Sequence, residues 1–201
     1  DLDTVMYALA GLTNVETGWG VAGDTFNGIK SLERYGGPGW FNLGDKDLAT
    51  HIRRTELLNN GRTLSQVTHQ LSECLGIVHS IVPMTDHKVR TIIETAEGEL
   101  PFQIYFVQKK CQPAVKGIMY DGADEALPAP GFLESVKTAD HLVICPSNPF
   151  LSIDPILALP GVREQIGKMP GASVAVSPIV GGKSIRGPAG KLLTELGHEV
   201  S

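Results

Sequence analysis

Two aspartates in the run DLDT, at the start of the chain, have side chains and spacing suited to metal-assisted chemistry. Asp1 and Asp3 lie within the same four residues as the hydroxyl of Thr4. Carboxylates placed this closely can hold Mg²⁺ or orient a nucleophile. Acidic residues are also favoured in the first turn of a helix, so a solvated helix N-terminus explains the same pattern.

A second candidate is the segment GDKDLATHIRR, residues 44–54. On a helix, Asp47, His51 and Arg54 fall at positions i, i+4 and i+7 and therefore share one face. A carboxylate, an imidazole and a guanidinium on one face suit an anionic ligand. The alternative is a solvated amphipathic face on which the aspartate simply contacts the histidine.

The turn PSNP, residues 146–149, follows an apolar stretch and is a third candidate. The side chains of Ser147 and Asn148 offer hydrogen-bond donors, and two prolines stiffen the turn. Turns that follow the strands of a parallel sheet are where ligands bind. A tight turn without a ligand is the alternative.

The glycine-rich run SPIVGGKSIRGP, residues 177–188, is the fourth candidate. Gly181 and Gly182 allow backbone N–H groups to point at an anion, and Lys183 adds positive charge. The run GGKS is similar to the end of a P-loop, but the motif GxxxxGK[ST] requires glycine at position 177, where this chain has Ser177. A generic phosphate nest and a glycine-rich connector remain as interpretations.

The first 76 residues must position DLDT and the 44–54 segment, and their pattern is mainly helical. Leu2, Val5, Met6 and Leu9 form the apolar stripe of the first helix, which leaves its two aspartates without a packing role. Asp24 is a plausible N-cap for the second helix and Thr63 for the fourth. We therefore predict helices at residues 1–11, 24–35, 46–58 and 63–74.

Residues 77–122 are rich in β-branched and aromatic side chains, which favour strands. The run EGEL, residues 97–100, is typical of a hairpin turn. We predict strands at residues 77–83, 89–96, 101–108 and 116–122.

Residues 130–201 alternate strands and helices, which predicts parallel strands joined by right-handed crossovers. We expect a helix at 130–139, a buried strand at 141–146, a helix at 155–167, a strand at 172–178 and a last helix at 188–197. The carboxyl ends of these strands gather polar and glycine residues: Ser147, Asn148, Ser177, Gly181, Gly182 and Lys183. The sequence therefore predicts a ligand site at this edge.

Composition excludes several classes of protein. The 201 residues are 42% hydrophobic and 19% charged, as in an ordinary globular chain. Seventeen basic and 22 acidic side chains give a net charge of −5, which argues against a general nucleic-acid binder. No apolar run has the length of a membrane helix, and three scattered cysteines argue against a disulfide framework and for a reducing compartment. Since the chain starts at Asp1 without methionine, we expect a piece of a longer protein.

Taken together, the motifs resemble the 2-phospho-L-lactate transferase family (CofD type) of coenzyme F-420 biosynthesis. The resemblance covers nearly the whole chain in the family's order. Its main segments are DLDTVMYALAG, WFNLGDKDLATHIRR, IVPMTDHKVRTIIETAEGELPFQIYFV, CPSNPFLSIDPILALPGVRE and VAVSPIVGGKSIRGPAGKLL. The turn PSNP followed by SPIVGGK and GPA is specific as a combination.

The resemblance implies one α/β domain with a Rossmann-like parallel sheet flanked by helices, a helical insertion and a β-hairpin region. Its parts would be a helical segment 1–76, a strand-rich segment 77–122 and a nucleotide-binding part 130–201. It implies transfer of a 2-phospholactyl or enolpyruvyl phosphate group from a guanosine diphosphate conjugate to the deazaflavin Fo, with release of GMP and a requirement for Mg²⁺. It also implies a cytoplasmic homodimer that binds neither nucleic acid nor membrane.

Combined with the motifs above, this resemblance gives the candidate site residues. The catalytic and metal-binding residues would be Asp1 and Asp3. Residues on the acceptor side, for Fo, would be Asn27, Asp45, Asp47, Thr50, His51, Thr85 and Asp86. Nucleotide-binding residues would be Ser147, Asn148, Ser177, Gly181, Gly182 and Lys183.

The chain departs from the family pattern at both ends. The family's first strand, its glycine loop and an acidic motif would precede DLDT, and a further segment would follow Ser201. A gluconeogenesis-factor-like regulator that binds nucleotide sugars without catalysis is the main alternative, and a truncated binding module is a third. The sequence leaves the acid on the donor open.

Overall fold

A computed structural model of the chain describes residues 2–200. Contacts divide the chain into two compact units, Asp1–Pro83 and Met84–Ser201. The boundary lies seven residues beyond the end of the predicted helical segment. The arrangement of the whole as one domain stays a prediction, and each unit is described by itself.

The first unit is mainly helical, as predicted. Its helices are α1 (Leu2–Leu9), α2 (Asn27–Arg34), α3 (Asp45–Asn59) and α4 (Leu64–Cys74). Thr63 caps α4 as expected, because its hydroxyl accepts from the Gln66 amide while the Gln66 side chain accepts from the Thr63 amide. Asp24 does not cap α2, whose N-cap is Phe26; its actual role is described with the site.

The buried face of α1 differs from the predicted stripe. Met6 and Tyr7 are buried, whereas Val5 and Leu9 are 44% and 48% exposed. Hydrophobic periodicity identified the helix, but contacts with neighbouring elements select the face that is covered. Tyr7 tolerates burial because its hydroxyl has a hydrogen-bond partner on α3.

The second unit begins with a three-stranded antiparallel sheet of order β2–β1–β3. Its strands are β1 (Arg90–Thr95), β2 (Gly98–Pro101) and β3 (Val115–Asp121). Thr95 pairs with Gly98, so the predicted hairpin is confirmed and its turn, residues 96–97, starts one residue early. A core of Ile93, Tyr105, Val115 and Leu192 packs on this sheet.

Two predicted strands are wrong. Residues 77–83 form no strand within the described chain, and Val78 there is 90% exposed. β-Branched residues extend into a strand only where a neighbour supplies hydrogen bonds and packing. Residues 101–108 turn helical after Pro101 and contain a π-helical segment, Ile104–Gln108. Phe102 and Phe106 stack with ring centroids 5.3 Å apart. The aromatic residues that suggested a strand therefore pack against each other one helical turn apart.

The remaining elements alternate strands and helices. They are α5 (Phe132–Thr138), β4 (His141–Ile144), a π-helical segment (Pro149–Ile153), α6 (Asp154–Leu157), α7 (Val162–Gly167), β5 (Ala172–Ala175), β6 (Ile179–Val180), β7 (Lys183–Ser184) and α8 (Ala189–Glu195). The predicted helix 155–167 is broken in two because Gly161 adopts a left-handed φ of 79° after Pro160. β4 and β5 pair in parallel, which confirms the α/β class.

The prediction that residues 141–146 form a buried strand is wrong for the described residues. Val143 on β4 and Val174 on β5 are 59% and 54% exposed. A parallel strand is buried only where layers cover both faces of its sheet, and among residues 2–200 this sheet has two strands. A second core, of Ala126, Leu159 and Val162, lies among α5, α6 and α7 instead. Helices long and apolar enough to cross a membrane do not occur in the described chain.

Candidate active site

The first unit brings together side chains from α1 and α3. Asp3 lies in the first turn of α1, and Asp47 and His51 lie one turn apart on α3. The His51 Nε2 is 3.6 Å from Asp3 Oδ2 and 3.7 Å from Asp47 Oδ1. Two candidates that the sequence presented separately therefore form one cluster of two carboxylates around an imidazole.

Each carboxylate in this cluster has a further partner. The Arg54 guanidinium forms an ion pair with Asp3 Oδ1. The Tyr7 hydroxyl donates to Asp47 Oδ1 at 2.8 Å. The sequence left Asp3 without a packing role, and the structure adds this ion pair, about which helix spacing within α1 contained no information.

The Tyr7 hydroxyl is held in its protonated form. Burial raises the pKa of Tyr7 well above its ordinary value. The neighbouring Asp47 raises it further, while a hydrogen bond with Thr50 acts in the opposite direction. Tyr7 is thus a dependable donor to Asp47, and Thr50, a predicted acceptor-side residue, lies at the same cluster.

The cluster has the composition of a divalent-cation site. Asp3, Asp47 and His51 each offer one ligand atom, and these atoms lie within 4.8 Å of one another. Carboxylate oxygens suit hard cations such as Mg²⁺, whereas imidazole suits softer metals. Asp1, the other predicted ligand, lies outside the described residues.

Asp45, predicted on the acceptor side, is engaged in a helix cap. Its carboxylate accepts from the Thr25 hydroxyl at 2.5 Å and from the backbone amides of Asn27 and Gly28 at 3.1 and 2.8 Å. These hydrogen bonds lower the pKa of Asp45, and the bond from Thr25 has the largest effect. Asn27 therefore meets Asp45 through its backbone at the start of α2, and the structure gives both residues a local structural role.

Asp24 performs the matching role for α3. Its carboxylate accepts from the amides of Lys46 at 2.8 Å and Asp47 at 3.2 Å. A Cβ at Gly44, the N-cap position, would collide with this carboxylate. Glycine at position 44 therefore makes room for a cap supplied from another part of the chain.

Thr85 and Asp86, the remaining acceptor-side candidates, lie in the second unit. Thr85 is buried, and its hydroxyl donates to the Leu127 carbonyl at 2.5 Å and accepts from the His87 amide at 3.1 Å. These bonds fix the turn that leads to β1. Asp86 lies part-buried in the same turn.

The nucleotide-side candidates lie at one edge of the parallel pair. The Val176 amide donates to the Ile144 carbonyl at 3.0 Å, which extends the pairing beyond β4 and β5. Ser147, Asn148 and Ser177 follow at the carboxyl ends of these strands, as predicted. The Ser177 hydroxyl accepts from the Ile179 amide at 3.1 Å.

Asn148 has one satisfied and one unsatisfied side-chain group. Its Oδ1 caps the following π-helical segment by accepting from the amides of Phe150 and Leu151 at 3.0 and 3.1 Å. Its Nδ2 is buried and has no hydrogen-bond partner among residues 2–200. A buried donor without a partner is costly, so this amide is suited to a ligand acceptor.

Gly181 and Gly182 form the two-residue turn of the β6–β7 hairpin, where Val180 pairs with Lys183. Their φ angles of 57° and 75° are those of a type I′ turn, so the glycines meet a backbone requirement. Gly182 and Lys183 also line a depression of about 420 Å³ together with residues of α8. An anion at this place would meet the exposed Lys183.

Lys191 also lines this depression, but its ammonium is already engaged. It donates to the Glu195 carboxylate at 2.7 Å, to the Pro113 carbonyl at 2.8 Å and to the hydroxyl of the buried Tyr105 at 3.3 Å. The last two bonds join α8 to the segment between β2 and β3. Of the two lysines, Lys183 is the better placed to meet a ligand.

Tyr7 was absent from the predicted site, whereas Arg54 was placed on one face with Asp47 and His51 but was given no partner on α1. Tyr7 follows Asp3 by one helical turn, so helical spacing could have found it. The predicted apolar stripe of α1 did not include Tyr7, and the ion pair of Arg54 with Asp3 joins residues 51 positions apart.

Comparison with known proteins covers the whole chain. Residues 1–201 match the family described as 2-phospho-L-lactate transferase CofD. A phosphoenolpyruvate transferase of Streptomyces griseus is 46% identical over 205 residues, covering 99% of this chain and 64% of the relative. A 2-phospho-L-lactate transferase of Methanosarcina mazei is 42% identical over 201 residues, covering 100% of this chain and 66% of the relative. The chain thus spans a little under two thirds of the length of these curated relatives.

Among solved structures, a UPF0052-family protein of Bacillus halodurans has a similar fold. The TM-score is 0.56 at 19% sequence identity, and the match covers 85% of this chain and 51% of that protein. This likeness supports the α/β fold.

Proposed function

Because the chain belongs to the 2-phospho-L-lactate transferase CofD family, we propose that it transfers a 2-phospholactyl group, or its enolpyruvyl analogue, to the deazaflavin Fo. The donor is a guanosine diphosphate conjugate of the small acid. The terminal ribityl hydroxyl of Fo forms a bond to the phosphorus that carries the acid. The bond from this phosphorus to the bridging oxygen breaks, and GMP leaves with that oxygen.

The cluster on α1 and α3 is the proposed acceptor side. The hydroxyl of Fo must lose its proton as the new bond forms, and Asp3 is our candidate for receiving it. His51 and Asp47, within 4.8 Å of Asp3, offer further hydrogen-bonding groups to the ribityl chain. Thr50 lies beside them against Tyr7. Asp45 and Asn27 act through the caps that place these helices.

Mg²⁺ is the proposed cation, and the carboxylates of Asp3 and Asp47 fit it as ligands. When bound, it neutralises negative charge on the donor diphosphate. Asp1 stays a proposed third ligand. The protein's own part is positioning, because phosphoryl-type transfer depends on charge neutralisation and in-line placement.

The turn after β4 is the proposed nucleotide side. The buried Nδ2 of Asn148 is a hydrogen-bond donor without an acceptor among the described residues. Ser147, the preceding residue, adds a hydroxyl. Lys183 adds a cationic group on the β6–β7 hairpin. We propose that these groups hold the guanosine diphosphate part of the donor.

Named relatives include both phosphoenolpyruvate and 2-phospho-L-lactate transferases at similar identity, so both donors belong in one assay. The purified protein is incubated with Fo, Mg²⁺ and either donor, and mass spectrometry follows the Fo adduct while chromatography follows GMP. We expect equal amounts of both products with at least one donor, and loss of both in Asp3→Asn. Tight binding of guanine nucleotide without turnover of either donor would instead favour the non-catalytic regulator.

The match over all 201 residues is the observation that carries this proposal. A cytoplasmic homodimer, expected from the same resemblance, is proposed with it. Light scattering of the purified protein tests the dimer directly.

A further inference from the structure

We propose that Arg54 is a positioning residue, which holds the Asp3 carboxylate in its working orientation. This inference rests on the proposed function, since it concerns the same cluster. Arg54 lies on α3 and Asp3 on α1, and their ion pair joins the two helices that build the site.

The two oxygens of Asp3 meet different groups. Oδ1 accepts from the Arg54 guanidinium, while Oδ2 lies 3.6 Å from His51 Nε2. A carboxylate whose Oδ1 is anchored cannot rotate freely about its last side-chain bond. The Arg54 contact therefore keeps Oδ2 directed toward His51, in the orientation in which Asp3 receives the proton of the Fo hydroxyl in the proposed reaction.

The environment of this pair differs from that of a surface ion pair. The side chains of Arg54 and Asp3 are 19% and 15% exposed, so water screens their interaction weakly. The neighbouring Arg53 pairs with Glu56 on the same helix, but those side chains are 46% and 56% exposed. Exposed pairs of that kind contribute little to stability or order.

Arg53 therefore provides a matched control one position away. We compare the purified wild-type protein with Arg54→Met, Arg54→Lys and Arg53→Met in the Fo transfer assay. Removing a group that orients a site residue typically lowers activity about 10–100-fold. We expect Arg54→Met to lose kcat by that factor while KM for Fo and for the donor stays within about twofold. Arg53→Met should retain wild-type kcat.

The conservative variant separates positioning from a general structural role. Arg54→Lys keeps the charge but loses the planar fork, so its kcat should lie between those of Arg54→Met and the wild-type protein. Arg54→Lys also serves where Arg54→Met folds poorly. A fall in thermal stability with unchanged kcat would overturn the proposal. A rise in donor KM at constant kcat would also overturn it, since Arg54 would then bind substrate.

A second measurement does not depend on catalysis. Urea unfolding of Arg54→Met, Asp3→Asn and the double variant gives the coupling between the two side chains. We expect a coupling of about fivefold or more in the unfolding constant, and none for Arg53 with Glu56. Should the wild-type protein transfer neither donor, the proposed function fails while this coupling still decides whether Arg54 holds Asp3. Independent effects of the two substitutions would refute the contact.

Discussion

Asp24 and Asp45 exchange helix caps. Asp24 precedes α2 yet accepts from the first amides of α3, while Asp45 begins α3 yet accepts from the first amides of α2. Each carboxylate thereby accepts from backbone N–H groups that have no acceptor within the other helix. It also lies at the positive end of that helix's dipole. The exchange fixes the start of α3, the helix that carries Asp47 and His51.

Removing Asp24 should loosen the start of α3. In Asp24→Ala, the amides of Lys46 and Asp47 lose their acceptor, and loss of an N-cap costs about 0.5–2 kcal/mol of folding free energy. Urea unfolding at neutral pH measures this loss. Asp124→Ala, at an exposed turn position, is the control. Equal stability of the two variants would contradict the cap.

The contribution of Asp45 should depend on pH with a defined sign. Hydrogen bonds from Thr25 and then Gly28 place the pKa of Asp45 below its ordinary value of 3.8. A group with a lowered pKa in the folded state stabilises fully above its unfolded pKa and loses this effect as pH falls through the folded pKa. The stability difference between the wild-type protein and Asp45→Asn should therefore be present at neutral pH and shrink in acid. Unfolding measured across this pH range tests it, and a constant difference would refute the assignment.

Tyr7→Phe should destabilise the first unit through Asp47. The substitution keeps the ring in the core but removes the donor to the Asp47 carboxylate, which costs about 1.5–3 kcal/mol for a hydrogen bond to a charged group. Tyr35→Phe is the control, because Tyr35 is 87% exposed. Chemical denaturation compares the two. If both variants match the wild-type protein, Tyr7 does not hold Asp47 in solution.

Asn148→Ser should separate capping from ligand binding. Serine retains an oxygen that can cap the segment Pro149–Ile153, but it lacks the amide donor. We expect near wild-type stability together with a loss of about 1–3 kcal/mol in GDP binding, the range for a lost buried hydrogen bond. Calorimetric titration with GDP measures it. Unchanged GDP affinity would remove Asn148 Nδ2 from the nucleotide site, whereas Asn148→Ala is expected to lose both stability and affinity.

Local patterns in the sequence identified most of the elements. The N-cap at Thr63, the hairpin between β1 and β2 and the parallel pairing of β4 with β5 were all predicted from short-range signals. Such features depend on residues a few positions apart, or on a regular alternation of strands and helices. The failures at 77–83 and 101–108 concern β-branched and aromatic runs, which serve a strand or a buried turn according to their neighbours.

The candidate site was predictable in its parts. Asp3, Asp47, Thr50 and His51 were singled out from spacing and family resemblance, and the structure places them in one cluster. Asp45 was also singled out, but a carboxylate can bind a ligand or accept from the first amides of a helix. The sequence could not separate these roles, because the amides that Asp45 accepts from lie 17 and 18 positions away.

The sequence by itself determined most of the helical and strand segments, the chemical groups available on each and the family to which they correspond. The tertiary structure alone decided which of these groups meet: Arg54 with Asp3, Tyr7 with Asp47, and Asp24 with the start of α3. Secondary structure follows from interactions between near neighbours, which repeat with the period of a helix or strand. Side-chain partnerships between elements depend on how those elements pack, and no local period encodes a contact between residues 22 to 51 positions apart.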